Sequence, residues 1–144
     1  MTSRYDHSGV RFLYPENWTI SDEQFDEIPQ SVTVQSTGSA FWSVHIYPAS
    51  FRPTDLTAEA LAAMSKEYDN LESSQCVEWI GENQATGYDL EFYCLDFVVT
   101  AKTLALTISD RTYLLVYQSE SREYDKLGQV FIAISTSLLQ NAAP

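Results

Sequence analysis

Apolar and polar residues alternate in short runs along most of this chain, and only two stretches switch to a spacing of three and four. Val10 to Tyr14 reads as a short strand stopped by Pro15, with a turn at Glu16-Asn17 and a second strand from Trp18 to Ile20. The acidic stretch from Asp22 through Glu23, Asp26 and Glu27 runs to Pro29 and reads as a loop or sheet edge. Ser31 to Ser36 alternates, with Val32 and Val34 on one face and Thr33 and Gln35 on the other. Thr37-Gly38-Ser39 has turn chemistry. Ala40 to Tyr47 then carries Trp42, Val44 and Ile46 on one face and Ser43, His45 and Tyr47 on the other, which predicts a hairpin.

Pro48 and Pro53 bracket a connection into the first helix, capped near Thr54 or Thr57. Leu61, Met64, Tyr68 and Leu71 step by three and four, so they line one face. Four β-rich segments follow: Gln75 to Ile80, Gly87 to Phe97, Val98 to Ser109 and Thr112 to Gln118, with turns at Gly81 to Gln84 and at Asp110-Arg111. Connections this short predict an antiparallel meander. A second helix spans about Ser121 to Leu139, with Tyr124, Leu127, Phe131, Ile134 and Leu138 on its apolar face. Ser121 is placed to cap it, and Glu123 and Asp125 suit the positive end of its dipole. The fold class is therefore α+β: a central, mostly antiparallel sheet flanked by helices, with residues 1–144 as one domain.

Composition narrows the partners. Twenty acids against eight bases give a formal charge of −12. Such a surface repels nucleic acid and anionic membranes and attracts basic proteins, while also keeping the chain soluble. No stretch has the roughly 20 apolar residues of a membrane span. The start, Met1 to His7, has no apolar run after Arg4, so a leaderless, cytoplasmic chain is expected. Cys76 and Cys94 lack metal or redox spacing and are expected as reduced, half-buried thiols, pairing only if the strand register brings them together.

Catalytic chemistry is sparse. There is no GxSxG, GxxxxGK[ST], GxGxxG or HExxH. His7 is expected in a mobile N-terminus. His45 shares a strand face with Ser43, but same-face neighbours on one strand lie roughly 7 Å apart, too far for a nucleophile–base contact without bending. The acids from Asp22 to Glu27 lack the alternation and central Gly of a calcium loop. Neither a catalytic residue, a metal ligand nor a cofactor is assigned.

The aromatics are the remaining signal. Phe41, Trp42, Tyr47, Trp79, Tyr88, Phe92, Tyr93, Phe97, Tyr113 and Tyr117 all fall on predicted strands, and alternation cannot place them on one face. Either the helices cover both faces, or an aromatic face stays open to a helix or apolar ligand. For the second case the candidate binding residues are Trp42, Tyr47, Trp79, Tyr93, Tyr113 and Tyr117.

The opening Val10-Arg11-Phe12-Leu13-Tyr14-Pro15-Glu16-Asn17-Trp18 resembles the F-x-Y-P-x-x-W entry of the PsbP-like superfamily, the match being carried by Phe12, Pro15 and Trp18. The order of hairpin, helix, meander and C-terminal helix ending in Ser137-Leu138-Leu139 is similar as well. The resemblance implies an α/β/α sandwich, and a non-enzymatic protein-binding or accessory role like that of PsbP, Ran-binding, LpqN-like and DcrB-like members. The DcrB-like, chaperone-type branch is the most similar in size. Two alternatives stay open: a small-molecule binder or enzyme with a pocket between sheet and helix, and a homodimer closed over the aromatic face.

Overall fold

Nine strands and two helices form from these patterns in the computed structural model, which describes residues 1–22 and 28–142. In chain order they are β1 (Thr2–His7), β2 (Val10–Pro15), β3 (Thr19–Asp22), β4 (Gln30–Gln35), β5 (Phe41–Pro48), α1 (Pro53–Glu67), β6 (Glu72–Ile80), β7 (Asn83–Cys94), β8 (Phe97–Ile108), β9 (Arg111–Glu120) and α2 (Ser121–Gln140). Seven of the strands make one sheet in the order β3-β4-β5-β9-β8-β7-β6, every neighbouring pair antiparallel. β1 and β2 form a separate hairpin.

The two faces of the sheet are covered differently. One face, carrying Val32, Val34, Trp42, Val44, Leu104, Leu106, Tyr113, Leu115 and Tyr117, packs against Phe131, Ile134, Leu138 and Leu139 of α2 and against Tyr5, Val10 and Phe12 of the β1–β2 hairpin. Trp18 joins this core and meets Phe131 edge-on. The other face receives α1, whose Leu61 and Met64, with Tyr68 and Leu71 just beyond, pack on Leu90, Phe92, Val99 and Ala101. Tyr68 stacks on Phe92 at 4.1 Å. Leu56 at the start of α1 covers Ala105 and Leu114. The α+β sandwich is as expected, and no described helix is long and apolar enough to cross a membrane.

Serines on α2 tie these layers together. Trp42 Nε1 donates to Ser135 Oγ at 2.9 Å inside the core, and Ser135 Oγ donates in turn to the Phe131 carbonyl. The backbone N–H of Leu13 donates to Ser137 Oγ at 2.8 Å. The sheet and the hairpin are thus both fastened to one helix.

Several expectations are corrected. The N-terminus is not a loose segment: Thr2–His7 pairs residue for residue with β2 through a Ser8-Gly9 turn with both φ values positive. Alternation there is hard to see because Tyr5 is its one inward apolar residue. Neither Thr54 nor Thr57 caps α1. Pro53 occupies its first turn, and the Thr57 hydroxyl bonds back to the Pro53 and Thr54 carbonyls. Ser121 is likewise inside α2, its hydroxyl 2.7 Å from that of Thr100. The turn expected at Gly81 to Gln84 is tighter, at Gly81-Glu82; the one expected at Asp110-Arg111 lies one residue earlier, at Ser109-Asp110; and a turn at Leu95-Asp96 interrupts the strand expected to run on to Phe97. In the acidic stretch Asp22 ends β3 and accepts the Tyr5 hydroxyl at 2.8 Å, whereas Glu23, Asp26 and Glu27 lie outside the described residues. Cys76 stands opposite Gly87, so Cys94 is about 24 Å further along β7 and the two thiols stay free.

Candidate functional site

The six aromatics picked out from the sequence do not gather into one face. Trp42, Tyr113 and Tyr117 belong to the core beneath α2, and Tyr117 stacks on Phe131 at 4.8 Å. Tyr47 lies on the opposite face, half-buried against Phe51. Only Trp79 and Tyr93 are open, at 68% and 57% exposure, and the register puts them on opposite faces of the sheet. Alternation was read correctly, but α2 claims the first three.

Exposed apolar residues concentrate instead at the β7–β8 turn. Tyr93, Leu95 and Phe97 are 57%, 91% and 49% exposed within five consecutive residues. Leu95 holds φ +58°, and Asp96 is not in the positive region. That is the pattern of a type II′ turn, whose first central position normally holds glycine. The equivalent β6–β7 turn does use Gly81, at φ +63°. A side chain at this position is strained by about 1–3 kcal/mol. Beside the tip lies a cavity of about 390 Å³, walled by Cys94, Leu95, Phe97 and Val99 and rimmed by Ser39, Gln118, Ser119, Glu120 and Arg122. It occupies the end of the sheet on the face that carries α1.

Leu95 was missed in the sequence, and Phe97 was read as one more aromatic on a continuous strand, because the whole stretch from Leu90 to Ile108 is β-forming. The available signal was Asp96, the only turn-forming residue in that run.

Two polar groupings bear on catalysis. On β4 and β5, His45 Nδ1 is 2.8 Å from Ser31 Oγ, and Nε2 is 3.3 Å from Ser43 Oγ. The Ser43 contact corrects the expectation from strand spacing: the side chains lean together although the backbones do not. The Ser43 hydroxyl donates to the Val116 carbonyl at 3.1 Å, so the ring must donate to Ser43 through Nε2–H and accept from Ser31 at Nδ1. Burial pushes His45 below the usual histidine range. Ser43 thus spends its proton on the backbone, and none of the three residues lines the apolar cavity.

The second grouping lies under α2. Lys102 Nζ pairs with Glu78 at 3.3 Å and with Asp89 at 3.2 Å, close to Cys76, Tyr117 and Tyr124. Burial lowers the Lys102 pKa, but the two carboxylates outweigh it and the net direction is upward. Burial, reinforced by Asp89, pushes the Cys76 thiol up, and burial raises Tyr117 and Tyr124. Each of these groups is therefore held in its less nucleophilic form: ammonium, thiol and phenol. Among the described residues no group of three His, Cys, Asp or Glu side chains is arranged to hold a metal.

No family model matches the sequence, and no curated protein is similar to it at a significant level. Solved structures do resemble it. Cyanobacterial PsbP (CyanoP) from Synechocystis sp. PCC 6803 superposes with a TM-score of 0.65 at 14% identity, over 94% of this chain and 90% of that one. PA94 of Pseudomonas aeruginosa, a protein of unknown function, gives 0.51 at 9% identity over 90% of each chain. LpqN of Mycobacterium tuberculosis, involved in cell envelope biogenesis, gives 0.47 at 13% identity over 94% of this chain and 87% of that one.

Proposed function

On a PsbP-like fold that ends in an apolar hairpin tip, we propose a non-enzymatic accessory protein that docks an apolar segment of a protein partner at that tip. The observation that carries the reading is Leu95. It is 91% exposed and sits in a backbone conformation that disfavours it, at the mouth of an apolar cavity. Strain of this kind persists where a residue serves something other than stability. A partner apolar side chain entering between Leu95, Phe97 and Val99 would remove exposed apolar surface on both sides. The polar rim of Gln118, Glu120 and Arg122 supplies hydrogen-bonding groups around that centre.

Replacing Leu95 with Asn tests this, because Asn is favoured over Leu at the positive-φ position of such a turn. Proteins captured from native extract by wild type are expected to be lost with Leu95→Asn, although the variant folds at least as well. Equal capture by both proteins would end the proposal. A cavity of this volume also fits a small apolar ligand, which is the second reading. In that case Val99→Trp, which fills the cavity, abolishes ligand co-purification while Leu95→Asn does not.

A further inference from the structure

The border of the sheet beyond β7 has its own unfilled valences. β6 is nine residues long and ends the sheet, pairing only with β7 among the described residues. Its turn to β7 has two residues, so the flanking pair Ile80 and Asn83 exchange hydrogen bonds, and every second pair after it does the same. The backbone groups of Ser73, Gln75, Val77 and Trp79 therefore point away from the sheet. An edge this long is ordinarily blunted by a bulge, a proline, charged side chains or a covering element, and on β6 that device is Glu72 with Glu78, which deters like-charged strands. Here α1 packs on β7, β8 and β9, and Val77 and Trp79 remain 57% and 68% exposed.

Side chains divide by face. Val77 and Trp79 share the face of α1. Glu72 and Glu78 lie on the other face with their neighbours Asp89 and Glu91, so four carboxylates stand there against the single ammonium of Lys102. We propose that β6 is a strand-addition site that takes an extended segment of a basic partner protein, one that alternates Lys or Arg with apolar residues. The unpaired backbone selects a strand. The carboxylate row selects cations on one side of that strand, and Val77 with Trp79 selects apolar groups on the other. A second copy of this chain offers Glu72 and Glu78 to the same carboxylates and brings a further charge of −12, so it is the poorer occupant.

The inference goes beyond the hairpin tip and needs no role for Leu95. Its probe is an acetylated nonapeptide alternating lysine and valine, followed by fluorescence anisotropy. The peptide should bind wild type and the Leu95→Asn variant equally, and at least tenfold tighter than an alternating glutamate–valine peptide. N-methylation of one alternate set of peptide amides should abolish binding, the valines for antiparallel addition, while methylation of the other set leaves affinity within twofold. Val77→Pro should keep the fold, since that N–H faces outward, and should weaken binding at least tenfold. If Val77→Pro fails to fold, the two methylated peptides decide the matter on wild type. Equal effects of the two methylation sets, unchanged affinity in a folded Val77→Pro protein, or a wild-type dimer dissolved by Val77→Pro would each overturn the proposal.

Discussion

Gly81, Leu95 and Ser109 occupy the same place in three consecutive hairpins, and only glycine meets that backbone without strain. Leu95→Asn should therefore raise stability by about 1 kcal/mol, or about 3 °C in melting temperature for a chain of this size. Calorimetry that shows the variant melting below wild type would mean the exposed side chain supports the fold. His45 makes a pH prediction. Its folded pKa is lowered by burial, so the unfolded chain takes up a proton first as acid is added. The contribution of His45 is thus fully present above about pH 6.5 and is lost as pH falls below it. Urea midpoints between pH 7.5 and 5 should fall more steeply for wild type than for His45→Gln. Parallel slopes would show that the ring titrates alike in both states. Neither behaviour is legible in the sequence: φ at Leu95 follows from a two-residue loop, and the shift at His45 follows from packing across β4, β5 and β9.

At the scale of elements, periodicity located every helix and strand except β1, and the faces it assigned on β4, β5, α1 and α2 are the ones that pack. Phe131, Ile134 and Leu138 of α2 are all core residues, as their spacing predicts. Boundaries were less legible, because β-forming residues ran straight through the turns at Leu95 and Ser109. Caps failed for a related reason: Pro53 can start a helix without help, which leaves nearby threonines to bond backward. The polar fasteners between elements were invisible, since Ser135 and Ser137 look like ordinary helix serines. Ser135→Ala strands the buried Trp42 indole N–H and should cost about 1–2 kcal/mol in denaturant unfolding, less than the full desolvation penalty because alanine favours helix. In a Trp42→Phe background the same change should be close to neutral. A cost that persists there would locate the effect in the helix itself.

Across the whole molecule, the layer architecture was readable from the order of periodicities and from the motif around Phe12, Pro15 and Trp18, at an identity of 14% to the similar structure. The strand order was not, because alternation says which side chains face inward but not which strand lies beside which. The decisive pairing is β5 with β9, where Trp42 meets Tyr117 and Tyr47 meets Thr112. That seam joins residues made early to residues made near the end of synthesis. A ribosome adding 5–20 residues per second takes roughly 4–14 s to travel from Pro48 to Glu120. Throughout that interval Val32, Val34, Trp42 and Val44, fully buried in the finished protein, have neither β9 nor α2 to cover them. Nascent chains stalled before β9 should be cut by protease within β3 to β5, and chains released after α2 should resist. The first third of this protein is thus obliged to wait for the last before its apolar face is covered.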